Sequence, residues 1–183
     1  IDHCLVGSEM CIRDRALTWM SVEWIKTGKP TVVGIATGMV AGLATITPAS
    51  GTVGPQGALL IGLFAGLICF YATQMIKGYF KIDDSLDVFP VHGVGGILGI
   101  LMLAFLGKPN GFLGAGASGF DPSVFEQFMI QLQGVVVICL WTLVFSWIAL
   151  KMTSFVTDLR VSQENEYEGL DITEHNESGY STS

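Results

Sequence analysis

Four apolar runs constrain this chain more than anything else in it: residues 31–49, 56–76, 88–107 and 128–156. A helix needs about 20 mostly apolar residues to cross a bilayer. The runs therefore predict an all-α polytopic membrane protein. A shorter piece, 16–25, reads as the end of a fifth helix. The last run is longer than one perpendicular span requires, so it should tilt or project beyond the bilayer. Asp121-Pro122 precedes it, which puts a capping acid ahead of a proline at the first helical position. Composition agrees with this reading, since 50% of the residues are hydrophobic and only 14% are charged.

The net charge of −7 is unevenly spread. Acids gather from Asp158 onward, where seven of them face one arginine, Arg160. An acidic tail behind an apolar block argues against nucleic-acid binding. The cysteines show no metal spacing. Cys69 and Cys139 lie inside apolar runs, where cysteine behaves as a small hydrophobe, so neither a disulfide framework nor a zinc site is expected.

Residues 1–15, IDHCLVGSEMCIRDR, differ in character from the apolar segments after them. They are polar and unpatterned, and they lack the apolar core of a signal peptide. LVGSEMCIRDR resembles the read-through translation of a transposase-type sequencing adapter. The expectation is that 1–15 is foreign sequence and that His3, Cys4 and Cys11 carry no function. Residues 16–157 then form the membrane region and 158–183 a tail.

Lysine and arginine in short loops set orientation. Lys26 and Lys29 share one loop, Lys77 and Lys81 share the loop two crossings later, and Lys151 and Arg160 flank the last exit. With alternating segments all six fall on one side. The other side receives the uncharged turn 50–55 and the loop 107–121, which holds only Lys108. The tail is thus expected in the cytoplasm.

Gly34, Gly38 and Gly42 recur every four residues, as do Gly62 and Gly66, and Gly95 and Gly99. Such small faces let helices approach closely in lipid, where apolar burial gives little drive. They predict a tight bundle.

One ionisable group stands inside the third run. In DVFPVHGVGG, Asp87 is placed to cap the helix, Pro90 falls in the first turn where it is tolerated, and His92 lies more than one turn into the membrane. Ionisable groups in such positions are costly and usually face a pathway or a partner. Val88, His92, Gly96 and Gly99 fall on one helical face by spacing. A dry setting favours the uncharged ring, which both donates and accepts hydrogen bonds. It can pass a hydrogen bond or a proton along a narrow path, but alone it cannot hold a metal. Two enzyme readings fail. Gly116-Ala117-Ser118-Gly119 resembles the motif of intramembrane serine proteases but sits in a loop with no membrane histidine after it. The glycine-rich PASGTVGPQG lacks the lysine and the preceding strand of a phosphate loop.

Four motifs, in order, carry a resemblance: GKP at 28–30, TPASGTVGPQGA at 47–58, DVFPVHGVGG at 87–96 and EGLDITEH at 168–175. With their spacing, residues 16–180 resemble the C-terminal portion of the ammonium transporters, the Amt/Mep/Rh family, and the Gly-Leu-Asp tail favours the Amt branch. The resemblance implies an eleven-helix fold in a homotrimer, each subunit with its own narrow hydrophobic pore and two inverted halves. This chain would run from the end of the seventh helix through the eleventh. His92 matches the second of two pore histidines, Val88 a pore-lining position, and Asp87 the acid that caps the helix. Function would be ammonium or ammonia transport, with no cofactor and no enzymatic step. The alternative is an ammonium sensor that signals through its tail.

By composition alone the tail reads as a solvated, disordered segment. The resemblance implies instead that it docks under a neighbouring subunit, and that a PII-type signal protein is a possible partner. Gly169, Leu170, Asp171, Thr173 and His175 match its regulatory core. The family's His-Gly-Glu is here His175-Asn176-Glu177, so the last turn departs from the pattern.

Overall fold

A computed structural model describes residues 2–107 and 124–177, with side chains from residue 8 onward. The chain divides into two compact units, Ile1–Val136 and Val137–Ser183. The described residues are helical throughout, apart from turns and one isolated antiparallel bridge between Val53 and Gly107. Lys108, the Gly116–Gly119 motif and the Asp121-Pro122 cap lie outside the described residues.

In the first unit, α1 (Asp2–Thr27) packs against both α2 (Val32–Ile46) and α3 (Pro55–Gln74). The expected boundary at residue 15 coincides with no break in α1. Each start follows local chemistry. Thr31 is extended, and its hydroxyl oxygen accepts from Gly34 N at 2.9 Å, so it caps α2. The Glu23 carboxylate ties this cap to α1, accepting from Thr31 N at 3.1 Å and from the Thr31 hydroxyl at 2.9 Å. Gly54 precedes α3 and Pro55 opens it, at the position where a missing N–H costs nothing.

The run expected over 31–49 yields only 15 helical residues. At 1.5 Å per residue that is about 22 Å, short of the roughly 30 Å hydrocarbon layer. Pro48 has no N–H to continue the ladder, and the chain turns over Thr47–Thr52 through bonds to the Ile46 and Ala49 carbonyls. Among the described residues, three helical stretches are long and apolar enough to cross a membrane: Pro55–Tyr79, Phe89–Leu106 and Val124–Ser154.

The glycine faces meet partners. Gly38 and Gly42 lie against α1, where a β-carbon on Gly42 would come within 3.0 Å of the Ile12 Cα. Gly62 and Gly66 receive α1 from the other side, against Cys11, Asp14 and Thr18. α1 is thus wedged between two small-residue stripes, and van der Waals contact between backbones replaces the usual interdigitation of long side chains. Two apolar clusters fill the remaining space. One joins Cys11, Ile46, Val53, Ile61 and Leu106. The other sets Trp19 edge-on to Phe70, ring centres 5.3 Å apart, beside Cys69.

The two ends of this bundle differ. At one, Lys26 Nζ lies 4.2 Å from the Tyr71 ring centre, and α3 runs on into a π-helical turn, Met75–Tyr79. At the other, the Val53–Gly107 bridge joins the 47–54 turn to the end of α4 (Gly95–Leu106). Lys26 and Lys77 stand at the first end.

α5 (Val124–Ser154) continues from the first unit into the second, and none of its residues is buried. The second unit also holds α6 (Gln163–Glu168) and α7 (Leu170–Thr173), joined at Gly169.

Candidate functional site

The third membrane run begins with a widened, π-helical turn, Phe89–Val94, before α4. Pro90 sits inside it, buried and without an N–H to give. Turns of this kind recur at functional sites. His92 lies within the turn.

The start of the turn is held by two carboxylates in different ways. The Asp84 side chain accepts from Val88 N through Oδ1 and from Phe89 N through Oδ2, both at 2.8 Å. The cap expected of the Asp87 side chain is therefore made by Asp84. Asp87 keeps the backbone position, since its carbonyl accepts from Val91 N at 3.0 Å. Its side chain instead pairs with Lys77, Nζ to Oδ1 2.9 Å, across to the π-turn that ends α3. The reason lies in the backbone. Asp87 has φ +56, a left-handed conformation that turns its side chain away from the helix it precedes.

Val88 and His92 both reach the surface. Val88 is 53% exposed and His92 is exposed as well. His92 borders a groove of about 320 Å³ whose other walls include Val33, Ala36 and Val40 of α2, with Leu86 and Val91. Thr37 is the other polar residue there, and its hydroxyl donates to its own helix at Val33 O, 2.9 Å. The imidazole thus faces an almost wholly apolar surface, and among the described residues no side chain hydrogen-bonds the ring. Gly96 extends this open side, with nothing within 4 Å of a β-carbon built on it. Gly99, expected on the same face, is buried instead against Thr45 and Pro48, because Gly95 and Gly99 form the stripe on which α2 rests.

The family model described as Ammonium Transporter Family matches residues 10–180. This chain belongs to the ammonium transporter family. An ammonium transporter of Aquifex aeolicus is 38% identical over 176 residues, covering 96% of this chain and 41% of the relative. One of Corynebacterium glutamicum is 42% identical over 180 residues, covering 97% and 39%. Among solved structures, the Sensor Amt Protein superposes with a TM-score of 0.82 at 28% identity, covering 94% of this chain and 42% of that one. Saccharomyces cerevisiae Mep2 gives 0.72 at 32% identity, covering 83% and 37%. The chain thus spans about two-fifths of the length of the relatives it matches. The transporter fold is that of a multi-pass, all-α membrane protein, and the relatives' names are those of transporters rather than enzymes.

Two site features escape a reading of the sequence. Asp84 has the only available signal, an acid shortly before an apolar run, but Asp83 and Asp87 share it. The α2 wall of Val33, Ala36 and Val40 gives no signal of its own, because valine and alanine are what any membrane face would carry. Among the described residues no three His, Cys, Asp or Glu side chains group as a metal site would require.

The tail residues form two short helices within the second unit. Ser162 Oγ accepts from Asn165 N at 3.3 Å and starts α6. Gly169 turns the chain at φ +99, where a β-carbon is disfavoured. Its carbonyl then accepts from the Thr173 hydroxyl at 3.1 Å and from Thr173 N at 3.1 Å. Leu170, Asp171 and His175 stand exposed around this turn.

Proposed function

We propose that this chain forms part of the conduction path of an ammonium transporter, with His92 and Val88 lining the pore. The carrying observation is that the one imidazole of the membrane region stands open beside an apolar groove on α2. An ammonium ion cannot enter such a surface cheaply, because a bare charge loses its hydration there. A neutral imidazole can accept a proton or hydrogen bond on one ring nitrogen and donate on the other. Ammonia then moves along the apolar wall while the proton stays behind or passes along hydrogen-bonded rings. Val88, one turn away, narrows the path without offering it a competing partner.

The subunits of this reading assemble as a homotrimer in the cell membrane with the tail in the cytoplasm. The placement of Lys26, Lys29, Lys77, Lys81, Lys151 and Arg160 supports that orientation. The ordered turn at Gly169 supports a docking role for Leu170, Asp171, Thr173 and His175, with a PII-type protein as a candidate regulator. The test is methylammonium uptake by a full-length transporter carrying this segment. His92→Ala should lower uptake or relax selectivity, and unchanged values for both would overturn the pore role.

The likeness to a Sensor Amt Protein favours a second reading, in which ammonium is reported through the tail. Deleting 158–183 separates the two. Transport without a regulatory output loses little by the deletion, whereas a sensor loses its signal while still binding ammonium.

A further inference from the structure

We propose that Lys77 is a positioning residue for His92, acting through Asp87. This deepens the pore reading and rests on it for its functional consequence. Lys77 belongs to the π-turn Met75–Tyr79 that ends α3, and Asp87 stands two residues before the π-turn that carries His92. The ion pair between them, 2.9 Å and without hydrogen-bond alignment at Oδ1, ties the end of α3 to the entry of that turn. The Asp87 side chain is only 16% exposed and that of Lys77 42%, so the pair is partly withdrawn from water and attracts more strongly than a surface pair.

What the pair holds is a backbone choice. Asp87 has φ +56, which an L residue other than glycine adopts only against steric resistance. An aspartate with a free side chain would relax toward the right-handed region and turn its own carboxylate onto the helix N–H groups. Those groups are already taken by Asp84. Lys77 draws the Asp87 carboxylate the other way. The two grips together fix how the helix enters: Asp84 fixes its first N–H groups and Lys77 fixes the residue just before them. Val91 N bonds to the Asp87 carbonyl, so a change at residue 87 is passed directly into the turn that carries His92. The expected consequence is a change in which way Val88 and His92 face.

The experiment uses the full-length transporter with its other cysteines, Cys4, Cys11, Cys69 and Cys139 among them, replaced by alanine and Val88→Cys introduced as a reporter. Labelling of that cysteine by a small water-soluble thiol reagent reads the facing of the turn without any transport. Lys77→Met should change the labelling rate roughly three- to tenfold, the range expected when a partly buried pair of this kind is lost. Lys77→Arg should restore most of it. In the background with Val88 intact, Lys77→Met should lower methylammonium uptake at matched membrane abundance, again with rescue by arginine. If Lys77→Met does not accumulate, the exchange Lys77→Asp with Asp87→Lys serves in its place. Retained labelling in that double variant supports the pair, and altered labelling counts against it. Unchanged labelling in Lys77→Met overturns the positioning role even if His92→Ala abolishes uptake. Altered labelling together with unaffected uptake in His92→Ala keeps the positioning role and removes the pore reading.

Discussion

The carbonyl oxygen of Thr45 occupies the space that a β-carbon on Gly99 would need. α4 therefore meets α2 through a bare backbone at this point, with Pro48 Cγ only 3.1 Å from the same position. Gly99→Ala should lower stability by about 1–3 kcal/mol, the usual range for overpacking a tight contact. Gly96→Ala is the matched control, since its β-carbon would meet nothing within 4 Å. Thermal melts in detergent should show a lower midpoint for the first variant and no loss for the second.

Asp84, rather than Asp87, should govern the fraying of the third membrane run. Asp84→Ala removes the acceptor of two N–H groups, and loss of such a cap costs about 1 kcal/mol. Hydrogen exchange at Val88 and Phe89 should accelerate in Asp84→Ala and change less in Asp87→Asn. Equal acceleration in both would assign the cap to the pair of acids jointly.

Arg15 should be replaceable at no loss. Its side chain is fully buried, with Nη1 directed at the Ala41 carbonyl and the Thr45 hydroxyl, while Nε and Nη2 carry no hydrogen bond. Thr45 donates to Ala41 O by itself at 2.8 Å, so removing the guanidinium leaves neither neighbour stranded. Arg15→Met keeps the aliphatic stem and should gain about 1–3 kcal/mol by deleting buried unpaired donors. A lower melting midpoint in Arg15→Met would show that the charge is wanted where it is.

Gly169→Ala should unravel the tail turn. At φ +99 a β-carbon brings a penalty of about 1–2 kcal/mol, and α7 has only four residues with which to resist it. Exchange at the Ile172 and Thr173 amides, both bonded to the Gly169 carbonyl, should rise sharply. Exchange within α5 should not.

The sequence carries the spans and the exposed imidazole plainly, because apolar length and a lone ionisable group are properties of the chain itself. The glycine stripes are equally visible, but not the element each one receives: nothing in Gly34, Gly38 and Gly42 says that α1 rather than α3 lies against them. Gly99 shows the same limit, since its spacing suits the open side as well as the packed one. The capping acid is illegible for a different reason. Three aspartates precede Val88, and which carboxylate turns inward depends on a left-handed backbone at residue 87 and on a lysine ten positions earlier. Pro48 could have shortened the first run in advance, because a proline ends the supply of ladder donors wherever it falls.

The widened turn at Phe89–Val94 also bears on the length of the chain. An α-helix advances about 100° per residue, and a π-turn accommodates one residue more than the regular spiral would. Losing a single residue there would let the spiral close into a regular turn and leave Gly95 and Gly99 against Thr45, whereas a loss inside α4 would rotate everything after it by that angle. The residue count is thus held tightly within Gly95–Leu106 and less so within Phe89–Val94, and a one-residue deletion should be better tolerated in the widened turn than in α4.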